Sequence, residues 1–227
     1  MKSSNKYTLK VFVAFCLFFM ISGCTAFDTS RIAPGYKDTY IAIKNALVGY
    51  PESPIPVKTI NNIPYASMLI KIGKGPTGLV ILESKLGKKY TWLSADEIYL
   101  VLQNGKIIES RGFENNLTGS FQAPLPFEEI IKGEIHELQD YYSYDDPPLK
   151  NLGLAFKYQV KGKEYIQILD KKKELLKVEE YGSSKILGWQ FVNTYWIDGD
   201  YQVWKSIQYI SPKLPEINYI LTKKPSM

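Results

Sequence analysis

The chain has 227 residues, with 28 lysines and arginines against 23 aspartates and glutamates, a formal net charge of +5, and 45% hydrophobic residues. That length suits one sizeable domain or two small ones. One histidine and two cysteines exclude multi-histidine and multi-cysteine metal sites. They leave Ser-His-Asp chemistry open only if His136 is the base, so neither metal nor cofactor is expected.

Residues 1–10 hold Lys2, Lys6 and Lys10 and no acid, and residues 11–21 are apolar. A basic start, a short apolar core and small residues before a cut site read as a secretory signal peptide over residues 1–23. The apolar core falls short of the roughly 20 residues that a membrane-spanning helix needs. The junction Ile21-Ser22-Gly23-Cys24 resembles the lipobox of bacterial lipoproteins. That resemblance implies that Cys24 becomes the first mature residue and carries a thioether-linked diacylglycerol. Several acyl chains, at about 0.8 kcal/mol per buried CH₂, hold a protein firmly in a bilayer. Thr25, not Asp, follows the cysteine, which in a Gram-negative host favours the outer membrane. The leader takes three lysines with it and leaves 25 basic and 23 acidic residues, a net charge of +2. The basicity is therefore mostly a targeting signal, and no nucleic-acid partner is expected. With Cys16 discarded and Cys24 lipidated, no disulfide is possible.

Residues 24–35 are polar and aperiodic and read as a tether; residues 36–227 read as a single, mainly β domain. Tyr36, Tyr40, Ile43 and Leu47 fall on one face of a helix that Gly49-Tyr50-Pro51 ends. Four prolines in residues 51–64 predict an extended loop or edge. From Tyr65 the period changes to two. Strands are predicted at 68–72, 79–84, 88–93 and 97–103. Asn104-Gly105 then forms a hairpin turn, because a type I′ turn needs positive φ at both positions. Residues 106–111 pair back, 112–126 are irregular, and a short helix starts near Pro126 with Glu128 and Glu129 at its N-terminus. Residues 141–148 are a loop or short strand.

The last third is an antiparallel meander. Leu154, Phe156, Tyr158 and Val160 alternate with polar or small residues, Lys161-Gly162-Lys163 turns, and 165–169 follows. Residues 170–173 turn into 175–180. The stretch 188–197 is a long strand, Asp198-Gly199-Asp200 turns it into 201–210, and 217–222 closes the chain. Residues 189–197 are apolar on both faces, which predicts a covered sheet. The expected fold is thus mainly β, an antiparallel meander forming a curved sheet, sandwich or half-open barrel, with one N-terminal helix.

Two stretches resemble the YjbF/GfcB family of outer-membrane lipoproteins. Residues 63–117 carry a Pro-Tyr-small-residue strand, Trp92-Leu93-Ser94, and a second hairpin ending near Asn116-Leu117. Residues 193–225 carry Asn193-Thr194-Tyr195-Trp196-Ile197-Asp198, a hairpin, and a closing strand ending in Lys224-Pro225. Between them, residues 120–185 match in pattern alone. The resemblance implies a role in producing or exporting an extracellular or capsular polysaccharide. It also implies an export barrel and a periplasmic accessory protein as partners, and it transfers no catalytic residues.

The leading expectation is a non-enzymatic lipoprotein on the periplasmic face of the outer membrane. Its possible binding surface is Tyr65, Trp92, Asn116, Asn193, Trp196 and Asp198, toward protein partners or the polysaccharide itself. Each has a plainer reading: Trp92 and Trp196 as core residues, Asn193 as a strand neighbour's partner, and Asp198 as the residue that shapes the turn before Gly199. A carrier of lipid or lipoprotein, with an apolar cavity in a half-barrel, is one alternative. A polysaccharide-modifying enzyme is the other. It needs two converging carboxylates, for which Asp96, Glu97, Asp145, Asp146 and Asp198 are available.

Overall fold

Period-two alternation runs through nearly the whole domain, and the sheet it builds is continuous. The computed structural model describes residues 55–133 and 137–225. Cys24, the tether, the helix expected at 36–48 and His136 lie outside the described residues. The order is α1 (Val57–Asn61), β1 (Ser67–Ile72), β2 (Thr77–Leu86), β3 (Lys89–Ser94), β4 (Tyr99–Gln103), β5 (Lys106–Arg111) and β6 (Leu117–Ser120). Then follow α2 (Phe127–Ile131), β7 (Glu137–Tyr144), β8 (Leu149–Ile168), β9 (Lys171–Ser184), β10 (Trp189–Ile197), β11 (Val203–Gln208) and β12 (Ile217–Lys223).

All twelve strands form one antiparallel sheet, in the order β5-β4-β3-β2-β1-β12-β11-β10-β9-β8-β7-β6. Every strand but one pairs with the next in sequence, the exception being β5 and β6, and β1 pairs with β12, Ile70 opposite Tyr219. The two edges, β5 and β6, come together at a seam where the Leu117 amide donates to Ser110 Oγ at 3.0 Å. The sheet is thus nearly closed into a barrel, which settles the expected choice among curved sheet, sandwich and half-open barrel.

Inward side chains alternate as predicted. Leu152, Leu154, Phe156 and Tyr158 of β8, Ile217, Tyr219 and Leu221 of β12, and Met68 and Ile70 of β1 are all buried. Asn104 and Gly105 adopt φ of 50° and 76°, as a type I′ turn requires. Gly105 has a second reason to be glycine, since a Cβ there would sit 2.3 Å from Val203 Cγ2.

Three local expectations need correction. Lys161-Gly162-Lys163 does not turn: β8 runs on through it, with a register shift between Val160 and Lys163. Lys161 reaches Glu179 at 3.2 Å and Lys163 reaches Glu174 at 2.9 Å, so cross-strand charge pairs hold the ladder where the residue types suggest a turn. Part of the proline-rich stretch is helical rather than extended: Pro56 stands at the entrance of α1, where its fixed φ is tolerated, and Ile60 is buried. Residues 112–126, expected to be irregular, contain β6. The α2 helix forms as expected, with Phe127 buried 4.8 Å from the Tyr195 ring.

The free side of β5 is met by side chains from across the barrel. Gln208 Oε1 accepts from the Ile107 amide at 2.9 Å, and Gln208 Nε2 donates to the Gly105 carbonyl at 2.9 Å. Tyr219 OH donates to the same carbonyl at 2.8 Å. Lys106 Nζ donates to Glu180 Oε2 at 2.8 Å and sits 4.0 Å from the Phe156 ring centroid. Asn193 Nδ2 donates to the other Glu180 oxygen at 2.8 Å. Burial alone would lower the Lys106 ammonium, but the Glu180 carboxylate outweighs it and holds Lys106 above the ordinary lysine range. Breaking such a pair strands a buried charge, at about 3–5 kcal/mol, whereas replacing both partners with apolar groups is often neutral. Lys106→Met should therefore lower unfolding stability in urea by about that amount. Adding Glu180→Met should recover most of the loss.

Candidate functional site

The up-and-down order places alternate turns at opposite ends of the barrel. The β4–β5 turn, the β10–β11 turn and the chain beyond β12 share one end, as does the entry to β1, where Ser67 lies opposite Lys223. A cleft of about 760 Å³ opens among them. Its floor is buried and apolar: Met68, Trp92, Leu102, Val203 and Leu221. Its lining also includes Tyr90, Asn104, Asp200, Tyr201, Gln202 and Lys224. An apolar floor with a few polar groups, at this size, is the usual make-up of a small-ligand site.

Asp198 builds the turn on one side of the mouth. Its Oδ1 accepts from the Asp200 and Gln202 amides, both at 3.0 Å. Its Oδ2 accepts from Trp204 Nε1 at 2.7 Å and from Lys224 Nζ at 3.1 Å. The turn holds Tyr201 at φ 60°, a sparsely populated conformation for a bulky residue and one often found at functional sites. Tyr201 is 38% exposed. Opposite it, Lys85 Nζ sits 5.5 Å from the Tyr90 ring centroid. Trp92 is 3% exposed, and its indole N–H has no partner among the described residues.

The residues singled out in the sequence do not converge on one place. Trp92 is in the cleft floor, and Asp198 supports the turn that presents Tyr201. Tyr65 is 60% exposed just before β1, at the same end. Asn116 is at the opposite end, where its Nδ2 donates to Asp145 Oδ2 and to the Phe113 carbonyl at 2.7 and 2.9 Å. Asn193 is buried, joining Glu180 to the Tyr209 amide. Trp196 is covered on the barrel's outside: Lys205 Nζ lies 4.5 Å from its ring, and its N–H donates to Glu164 Oε2 at 2.8 Å. Tyr90, Asn104, Tyr201 and Gln202 were not anticipated. Both turns they flank were legible, but their meeting at one mouth depends on the β1–β12 pairing.

No group of three or more His, Cys, Asp or Glu among the described residues could hold a metal ion. Among the described residues lining the cleft, Asp200 is the one carboxylate. No described helix is long and apolar enough to cross a membrane.

Residues 40–220 match the family model described as group 4 capsule polysaccharide lipoprotein GfcB, YjbF. The chain belongs to this family. It is 26% identical over 187 residues to the uncharacterized lipoprotein GfcB of Escherichia coli K12, covering 81% of this chain and 83% of that one. It is 24% identical over 179 residues to the uncharacterized lipoprotein YjbF of the same strain, covering 77% and 82%. The crystal structure of the hypothetical lipoprotein YmcC from Escherichia coli K12 superposes with a TM-score of 0.65 at 18% identity, covering 84% of this chain and 96% of that one. That likeness bears on the fold, and the nearly closed barrel of this YjbF-family chain has a counterpart there.

The Asp198 turn yields a pH-dependent prediction. Burial pushes the carboxyl up, but the Trp204 indole, the Gln202 amide and Lys224 outweigh it and hold Asp198 below its ordinary range. A depressed carboxyl contributes stability that is present above the unfolded value, about 3.9, and is lost as pH falls through the folded one. Asp198→Asn should lower the denaturation midpoint at pH 7. The gap to wild type should close as pH falls below about 3.9.

Proposed function

We propose that this YjbF-family protein is a lipid-anchored lipoprotein on the periplasmic face of the outer membrane. It assists production or export of a capsular polysaccharide, without catalysis, and its cleft contacts the sugar chain. The observation that carries this reading is the mouth itself. Tyr90 and Tyr201 offer ring faces for the apolar side of a sugar, and Asp200, the side-chain oxygens of Asn104 and Gln202, and the Lys224 ammonium, one of whose protons goes to Asp198, line the same opening. Family membership supplies the polysaccharide context, and Cys24 in its lipobox setting supplies the anchor. A single lining carboxylate supports binding over glycoside hydrolysis, which uses two. The polymer's export barrel and a periplasmic accessory protein are the partners this role calls for.

The apolar floor gives one specific reason for a second reading, a carrier that takes an acyl chain. Fluorescence titration separates the two. Capsular oligosaccharide should perturb the tryptophan emission of the wild-type chain, and Tyr201→Gly, which keeps the positive φ and removes the ring, should bind about tenfold or more weakly. A response to phospholipid and none to oligosaccharide would favour the carrier.

In cells, deleting the gene should deplete surface polymer. Wild type should restore it, and Cys24→Ser, which cannot take the lipid, should not. Unchanged amount and location of polymer would refute the export role.

A further inference from the structure

The tip of the β2–β3 hairpin is exposed at the cleft end. Leu86 pairs with Lys89 and Lys89 with Gln103, so the Gly87–Lys88 turn lies level with the Asn104–Gly105 turn. Every residue from Glu83 to Lys89 is exposed, and Leu86 is 82% exposed. Gly87 has φ 59°, and no atom lies within 4 Å of where its Cβ would be. The tip reads Lys85-Leu86-Gly87-Lys88-Lys89, with no acid between Ser84 and Tyr90. A bare leucine ringed by lysines is costly in water and matched to one setting, the boundary between acyl chains and anionic headgroups.

The charges of the two ends point to the same occupant. At this end the exposed Lys223 adds to the tip lysines, its Nζ donating to the Ile63 and Pro64 carbonyls. The turns of the opposite end carry Asp96, Glu97, Glu114, Asp145, Asp146 and Glu216 against Lys74, Lys185 and Lys213, an excess of acid that an anionic surface disfavours.

We propose that the Lys85–Lys89 hairpin tip docks on an anionic phospholipid surface with Leu86 inserted at the headgroup boundary, turning the cleft mouth toward the membrane plane. The docking extends the anchored-lipoprotein reading and adds an orientation to it. Forty-two residues separate Cys24 from Ser67, so the lipid alone does not fix which end of the barrel faces the bilayer. Each lysine at an anionic surface strengthens binding about fivefold, so Lys85, Lys88 and Lys89 together supply on the order of a hundredfold.

The test uses the acylated full chain in vesicles. Leu86→Cys and Ile186→Cys variants each carry a polarity-sensitive fluorophore; Ile186 is 77% exposed on a turn at the opposite end and serves as control. In phosphatidylethanolamine with about a quarter phosphatidylglycerol, the lipid composition in which anionic attraction operates, a lipid-borne quencher should quench the label at 86 and spare the label at 186. Quenching at 86 should vanish in phosphatidylcholine and in the Lys85→Gln/Lys88→Gln/Lys89→Gln variant. An unquenched label at 86, or equal quenching at both positions, would overturn the docking. Failure of the chain to float with phosphatidylcholine vesicles would instead refute the lipid anchor. In that event docking is still read from flotation with anionic vesicles, which the triple variant should weaken on the order of a hundredfold and which its indifference to that variant would overturn.

Discussion

The fold depends on how a sheet of twelve strands deals with its own edge. Closing by one more ladder would leave no unpaired strand, but β5 and β6 do not ladder. An open edge exposes amides and carbonyls that invite other strands, and here side chains answer them. Gln208 takes an amide and a carbonyl of the β4–β5 hairpin, Tyr219 takes the same carbonyl, and Ser110 receives the Leu117 amide. Gln208 and Tyr219 come from β11 and β12, halfway round the sheet, and Ser110 from β5 itself. The β5 edge is thus sealed from inside the barrel, and β5 itself is buried along nearly its whole length.

That solution sets the chemistry of the interior. Carrying β5 inward brings the Lys106 side chain with it, and a lone ammonium among Phe156, Tyr142 and Tyr158 would be far too costly to keep charged. Glu180 on β9 and Asn193 on β10 complete the site. Glu180 in turn raises the neighbouring phenols: burial first, and the nearby carboxylate second, push Tyr142 and Tyr158 up. The buried polar groups are therefore parts of one closure device, and Glu180 and Asn193 have structural work that leaves them no free role in a site.

How much of this could be read beforehand varies with the range of the interaction. Alternation of Leu154, Phe156 and Tyr158 against small and polar neighbours reports a local period, and the strands were found there. Asn104-Gly105 reports a local φ requirement, and its turn was found too. The Lys161-Gly162-Lys163 segment misled, because its residue types favour a turn while the β8–β9 ladder continues through it with a register shift, set by strand partners rather than by the local sequence. Lys106 and Glu180 are 74 residues apart, and nothing near either residue marks it as buried. The β6 strand is four residues long and rests on Ser110 and Tyr142–Tyr144, partners that no local pattern announces. The cleft failed to show for the same reason: Tyr90 on β3 and Tyr201 in the β10–β11 turn come to one mouth only once β1 has paired with β12.

The filled interior also limits what the protein can do with a long polymer. Side chains from opposite walls, Met68, Leu100, Ile107, Phe156 and Tyr195, are all buried in one core cluster, so among the described residues the barrel is filled rather than hollow. Contact with a polymer has to occur at an end or along a face. The opposite end binds its loops to one another, with Asn115 on Asp146 and Ser211, and Asn116 on Asp145, so these side chains serve the loops. The other end keeps an open cleft beside a strained tyrosine and an exposed basic hairpin tip. A barrel that closes around its own fifth strand fills its interior and leaves its one broad cleft at the end where β1 begins, which is why the proposed sugar contact falls there.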